Sequence, residues 1–346
     1  HIAAGVLIGQ AAKDKFPTGR ALVPLAALAA WMPDVDNVVG LFGAQAYMRY
    51  HRGYTHSLLG GALLAWLLAL VVHRFWGAAK TGRLFALFYV CVLSHLFLDC
   101  ITTYGTGVFL PFSEMRLSFP SVFIIDPVYT LALLALIAAS YLRPAAHKAF
   151  AVAGLAVMLG WPALGLGVRA FVAQRAGELF AAQGQKVDAL HVQPDAFAPL
   201  WWKVVAEEGD AYVLTGLDLA APGRLLPERR FHKAGREELE TLGRTAPVFS
   251  QYLWFTDFPV VASRTTPEGT TLTVALDREP LGARIAIHNA GSVPADIRDR
   301  FFEKYVTSGK SRGTGLGTYS ARLMAETQGG SISMTTSEAG GTTIAV

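Results

Sequence analysis

The sequence predicts a mainly α, polytopic membrane helical bundle of about four spans, followed by a small α+β soluble domain and a partial α/β ATPase-like tail. Three observations predict it. Of 346 residues, 52% are hydrophobic and only 16% charged, against about 25% charge in a typical soluble domain. The charge is also divided unevenly, with 11 Lys+Arg and 6 Asp+Glu in residues 1–168 and the remaining 19 and 20 in residues 169–346. Finally, Ser57–Val72 and Ala149–Val168 are uncharged over sixteen and twenty residues, enough with their flanks to cross a hydrocarbon core of about 30 Å as helices. The expected organisation is therefore a membrane-embedded helical domain over 1–168, a soluble cap over 169–280 and a separate tail over 281–346.

The other two spans carry ionisable residues. Leu84–Leu98 contains His95 and ends at Asp99, and Leu117–Leu142 contains Asp126. Charge at membrane depth is costly and usually marks a site. Ala21–Met32 is only twelve residues long and contains Pro24, so it reads as a buried or re-entrant helix. The links Arg74–Arg83 and Arg143–Lys148 carry three and two Lys/Arg, which puts both in the cytoplasm by the positive-inside tendency. Lys13, Lys15, Arg20, Arg49 and Arg52 pull the other way. No signal peptide is recognisable, and a start at His1 rather than Met indicates a beginning inside a longer reading frame. Cys91 and Cys100 are the only cysteines, too few for a disulfide framework or a four-thiolate zinc site, and read as packing residues. With no Lys/Arg run longer than two, a nucleic-acid patch is not expected despite a pI near 9.0.

The chemistry concentrates in short polar islands between the apolar runs: WMPDVDN with Asp34 and Asp36, YHRGYTHS with His51 and His56, SHLFLDCITTYGT with His95 and Asp99, and IIDP with Asp126. Threading the spans in order brings all of them to one face of the membrane. His95 and Asp99 are four apart, so on a helix they lie one above the other and can share a metal ion. Imidazole with carboxylate suits Zn²⁺, and Mn²⁺ or Fe also fit. His51 and His56 flank Gly53 and belong on a turn. In PDVD either aspartate is a candidate ligand or bridging carboxylate, and the other is a candidate general base or an orienting partner for a ligating histidine. A proton relay or structural polar packing are the competing readings. His73 and His147, beside basic links, read as interfacial residues.

These residues carry a resemblance. HRGYTHS, then SHLFLDCITTYGT followed by PFS and IIDP, with a leading His and PDVD, resembles the YdjM family of inner-membrane metal-dependent hydrolases over about residues 1–275. That family is in turn similar to bacterial zinc-dependent phospholipase C and to fungal zinc single-strand nucleases, whose all-helical sites contain an HxxxD pair. The resemblance implies a metal cluster held by His1, Asp36, His51 or His56, His95 and Asp99, and hydrolysis of a small-molecule or lipid phosphoester in the bacterial inner membrane. Together with the charge bias it puts the metal site on the extracytoplasmic side.

In the soluble half, Ala170–Gln183 reads as a short amphipathic helix, WWKVVAEEGDAYVLTG as a β-hairpin turning at Glu208-Gly209-Asp210, and the segments near Tyr252–Ser263 and Thr270–Leu276 as strands. Trp201 and Trp202 read as sheet packing or interface residues. The tail differs: GTGLGTYSAR, with Gly313, Gly315 and Gly317, resembles the second glycine box of the sensor histidine kinase ATP-binding domain, where glycines admit phosphates ahead of a helix. NAGSVP stands at the first box, where Asn289 replaces the adenine-reading aspartate, Gly291 is retained and Val293 replaces the second glycine. Lys310–Gly317 would form the phosphate lid. Neither a magnesium-binding asparagine helix nor a phospho-accepting histidine segment is recognisable, so the fragment is expected to bind ATP weakly if at all. A membrane metal hydrolase is thus the first reading, with a membrane sensor of the histidine-kinase kind and a non-catalytic membrane scaffold as alternatives.

Overall fold

The computed structural model describes all residues except 17, 77–79, 196–197, 246–252, 261–272, 280–281, 290, 309–315, 328–329, 339 and 346. It divides into two compact units, His1–Val261 and Ala262–Val346.

The first unit begins with three helical hairpins that open at a common end. Helix α1 (Ile2–Ala12) runs away from that end, and α2 (Leu22–Trp31) returns to it. Their backbones touch at Gly5, where a Cβ would meet the carbonyl oxygen of Ala26 at 2.4 Å, the close approach that small residues allow between membrane helices. A 3₁₀ run, Met32–Phe42, continues α2 and carries Asp34 and Asp36; such runs rarely exceed four residues, and long ones mark special sites. After α3 (Ala44–Tyr50) and a turn ending at His56, α4 (Leu58–Trp76) and α5 (Thr81–Cys100) form the second hairpin. A strap over residues 101–126 leads to α6 (Pro127–Leu142), which Asp126 caps and Pro127 opens, and α7 (His147–Ala182) closes the third hairpin.

Ala26, Ala29, Ala30, Ala65 and Ala69 pack with Phe88, Cys91 and Val92 in one core, and α1, α6 and α7 share another around Leu7, Tyr129, Leu133 and Met158. Both cysteines are buried and free. Leu63, Leu67 and Val71 on α4 and Leu131 and Leu134 on α6 are exposed, an apolar exterior suited to lipid rather than water.

Among the described residues, four helical stretches are long and apolar enough to cross a membrane: Leu22–Phe42, Leu58–Phe75, Thr81–Cys100 and Pro144–Ala182. The number agrees with the sequence reading and the membership does not. The expected span Leu117–Leu142 is corrected: its helix starts only at Pro127 and has 16 residues, because residues 117–126 belong to the strap. Leu22–Phe42 reaches 21 residues because the polar PDVDN segment stays helical. The separate helix expected at Ala170–Gln183 is the far end of α7, whose 36 residues extend about 54 Å at 1.5 Å each, well beyond a hydrocarbon core of about 30 Å.

That far end carries the small sheet. Strands β1 (Ala189–Asp195), β2 (Ala198–Glu208), β3 (Ala211–Asp218) and β4 (Arg229–His232) form an antiparallel meander, with the expected turn at Gly209-Asp210 and Glu208 opposite Ala211. Val172, Ala176 and Phe180 of α7 pack on Val192, Trp202, Val204, Val213 and Leu217. Trp202 is buried here while Trp201 is half exposed. Helix α8 (Arg236–Thr245) follows. The strand expected near Tyr252–Ser263 is corrected where it is described: residues 253–255 are helical, and Val260 makes an isolated bridge to Lys233.

The second unit, in its described residues, is an antiparallel sheet in the order β5-β6-β8-β7, from β5 (Thr273–Glu279), β6 (Gly282–Asn289), β7 (Ser333–Ser337) and β8 (Gly341–Ala345), with the helix α9 (Gly317–Thr327) and a 3₁₀ turn at Ala295–Arg300. The strand expected at Thr270–Leu276 is β5, its first three positions lying outside the described residues.

Candidate metal centre

The open end of the hairpins gathers side chains from four places in the sequence. His1 precedes α1, Asp34 and Asp36 ride on the 3₁₀ run after α2, His51 and His56 bracket the turn before α4, and His95 and Asp99 stand one turn apart near the end of α5. His56, His95 and Asp99 are essentially fully buried.

Each histidine in the middle is held from behind. His95 Nδ1 lies 2.7 Å from the carbonyl oxygen of Ala30, and a carbonyl can only accept, so Nδ1 donates and Nε2 is left with its lone pair. His56 Nδ1 lies 3.0 Å from Thr55 Oγ1, whose own proton goes to Asp36 Oδ2, so Nδ1 donates backwards to the hydroxyl and, in the neutral ring, Nε2 turns its lone pair inward. The two Nε2 atoms are 3.0 Å apart. Asp99 Oδ2 is 3.3 Å from one and 3.4 Å from the other, and it is buried without a hydrogen-bond donor among the described residues. Asp34 Oδ1 completes the ring at 3.6 and 3.7 Å. Three electron-rich, dry atoms facing one another repel unless a cation or a proton lies between them.

The donor set therefore fits a divalent metal. Three overlapping triads converge closely enough: His56, His95 and Asp99; His1, Asp34 and His95; and Asp34, Asp36 and His56. Two nitrogens and one or two carboxylate oxygens are ligands that Zn²⁺ accepts, and Mn²⁺ or Fe accept them also. His1 stacks on His95 with ring centroids 3.7 Å apart and reaches Asp99 Oδ1 at 3.3 Å.

Asp36 sits mainly behind the cluster. It accepts from His51 Nδ1 at 2.8 Å, from the Thr55 hydroxyl at 2.7 Å and from the Arg52 amide at 3.2 Å. This makes it an orienting carboxylate for His56 and draws His51 away from the centre. Burial acts to lower the His56 pKa, but hydrogen bonds to Asp34 and Asp36 outweigh it and leave the imidazole above its ordinary value.

Asp126 is corrected as a ligand. Its two oxygens accept from the Tyr129 amide and from Trp161 Nε1, both at 2.9 Å, so it caps α6 and ties it to α7; it is absent from the triads among the described residues. It nevertheless lines a cavity of about 210 Å³ that runs from His1, Arg52 and Asp99 along Leu98, Leu133 and Leu134. Arg52 is a site residue that the sequence reading passed over. It holds a left-handed backbone at φ 57°, and its guanidinium meets Asp99 Oδ1 at 3.0 Å and Thr102 Oγ1 at 3.1 Å. Its position between two flagged histidines was the available signal. Nothing in the sequence marks the Ala30 carbonyl.

In the second unit Asn289 ends β6 opposite Thr342, the Gly291 carbonyl accepts from the Thr342 hydroxyl at 2.6 Å, and the Val293 side chain is buried. Gly317 opens α9 with open space around it. Lys310, Gly313 and Gly315 lie outside the described residues.

A helical bundle with lipid-suited walls and a buried His/Asp cluster at one end defines a polytopic membrane protein. Residues 1–174, half of the chain, match the family described as YdjM inner membrane protein. The chain belongs to that family. Residues 258–346 match the Histidine kinase-, DNA gyrase B-, and HSP90-like ATPase family. Among individual relatives, the chain is 30% identical over 149 residues to the Uncharacterized protein YfhP of Bacillus subtilis (strain 168), covering 41% of this chain and 45% of the relative. It is 38% identical over 94 residues to the Inner membrane protein YbcI of Escherichia coli (strain K12), covering 26% and 54%. The chain thus spans about half the length of the curated relatives it matches.

Proposed function

We propose that this inner-membrane protein is a metal-dependent hydrolase acting on a phosphoester. One observation carries the reading: the bare Nε2 atoms of His56 and His95 and the unpartnered Asp99 Oδ2 face one another within 3.4 Å in a dry pocket. His56, His95 and Asp99 would hold the ion, with His1 added. A divalent ion there supplies Lewis acidity and lowers the pKa of water. Asp34 is the carboxylate of the cluster with the most solvent access and serves as general base. Arg52, which lines the cavity, would orient an anionic phosphoester. The positive-inside tendency supports an extracytoplasmic site.

Detergent-purified full chain, stripped with a chelator and reloaded with Zn²⁺ or Mn²⁺, should regain hydrolysis of bis(p-nitrophenyl) phosphate. Asp99→Ala should not regain it. Equal activity in Asp99→Ala and the parent would remove this cluster from the chemistry.

The ATPase-family match over residues 258–346 favours a second reading, a membrane sensor with a nucleotide module. Asn289 in place of a carboxylate argues for weak ATP binding. Micromolar ATP binding to the full chain, abolished by Gly315→Ala, would support the sensor reading instead.

A further inference from the structure

We propose that a second site, in the cavity beside Arg116, binds a phosphate-type oxyanion. The strap after α5 folds back on itself where Thr106 and Leu117 exchange both backbone hydrogen bonds, at 3.0 and 2.9 Å. This fold-back sets Arg116 against Tyr104 and Gly105. Gly105 has φ 78°, and a Cβ there would stand 3.1 Å from Arg116 Cβ; the backbone is shaped around this one side chain. The guanidinium carbon lies 5.2 Å from the ring centroids of Tyr104 and Trp254 and 5.6 Å from that of Phe255, an aromatic seat for a cation.

That cation is under-used. Arg116 Nη2 donates to the Gly105 carbonyl at 2.8 Å, while Nε is buried without an acceptor among the described residues. No carboxylate among the described residues comes within ion-pair distance of it; Glu114 faces Arg49 instead, at 3.7 Å. Burial pushes the Arg116 guanidinium below its ordinary pKa, with Arg52 adding to the shift and Tyr104 and Asp257 acting against it. Arg116 lines a cavity of about 650 Å³ together with Tyr104, Glu114, Trp254, Phe255 and Asp257, a volume in the range of ligand sites. A guanidinium pairs with tetrahedral oxyanions through charge-assisted hydrogen bonds, and Glu114 and Asp257 would accept from hydroxyl groups beside the phosphate.

Tyr104 joins this cavity to the metal cluster: its ring centroid is 4.8 Å from the Arg52 guanidinium carbon and 6.1 Å from the His51 ring. The role of the site, holding the charged end of a substrate whose phosphoester lies at Asp99, rests on the hydrolase reading. The existence of the site does not.

The test uses full chain in phosphatidylcholine nanodiscs, stripped of metal, with tryptophan fluorescence followed during titration with inorganic phosphate. A parallel arm places phosphatidic acid in the discs to separate a lipid headgroup from free phosphate as the source. The expected result is a saturable change in one arm or both, lost in Trp254→Phe, at least tenfold weaker in Arg116→Gln and less weakened in Arg116→Lys. If Arg116→Gln does not fold, weakened binding in Arg116→Lys, which keeps the charge and loses the fork, carries the test. No response in either arm, or binding unchanged by the Arg116 variants, would overturn the site. Because metal is absent throughout, failure of the hydrolase reading would leave this result standing.

Discussion

The Nε2 atoms of His56 and His95 face each other at 3.0 Å, and with both rings neutral each is a lone-pair end, because Thr55 Oγ1 and the Ala30 carbonyl take the Nδ1 protons. Two neutral imidazoles gain nothing from this arrangement by themselves. The cluster is an energetic cost to the apo fold that a cation removes.

Asp36 should matter for affinity rather than for occupancy at saturation. Replacing it by Asn keeps the shape but weakens its hold on His51, Thr55 and His56. Metal affinity should fall about 10–100-fold, the usual effect of losing an orienting carboxylate. Competition with a chromophoric chelator would measure it, and an unchanged dissociation constant would show that Asp36 is only structural.

Metal binding should weaken in acid. Ligation needs neutral His56, and the carboxylates around it raise its pKa above the ordinary histidine value, which is about 6.5. In the metal-free protein the proton is therefore retained to a higher pH than usual, so affinity is greatest above the raised pKa and falls as pH drops through it, by roughly tenfold per unit for each competing proton. Zn²⁺ titrations across this range should show the slope; a flat profile would mean that His56 is not a ligand.

Arg52→Gln should separate binding of substrate from binding of metal. The change removes the positive charge beside Asp99 without removing a donor, so metal content should persist while KM for an anionic phosphoester rises. Loss of metal in this variant would instead make Arg52 a structural clamp.

Gly5→Ala should loosen the first hairpin. The new methyl group would collide with the Ala26 carbonyl and Ala27 Cα, at 2.4 and 2.7 Å, and backbone cannot yield as a side chain can. A loss of about 1–3 kcal/mol should appear as a lower Tm in detergent. Because α1 carries His1, metal affinity should fall with it.

Much of this site was legible because its residues are the polar interruptions of apolar runs: His95 with Asp99 on one helix face, and His51 with His56 around Gly53. Asp126 looked the same and is a helix cap, since a carboxylate before Pro serves a helix N-terminus as readily as a metal. The span misplaced at Leu117–Leu142 has a similar origin. Strap residues such as Val108 and Val122 pack into the helical cores without being helical themselves, and hydropathy does not distinguish the two. Arg52 was passed over because basic residues near membrane helices read first as topology signals, and its partner Asp99 is distant in sequence; Arg116 stands in no motif that marks it.

Elemental analysis of the detergent-purified full chain tests the central claim most directly, with the parent compared with His95→Ala and Asp99→Ala after identical preparation. A divalent transition metal bound at a stoichiometric level in the parent and lost in both variants is the predicted result. Metal-free parent protein that also fails to take up Zn²⁺, Mn²⁺ or Fe on reloading, or full occupancy in both variants, would contradict it.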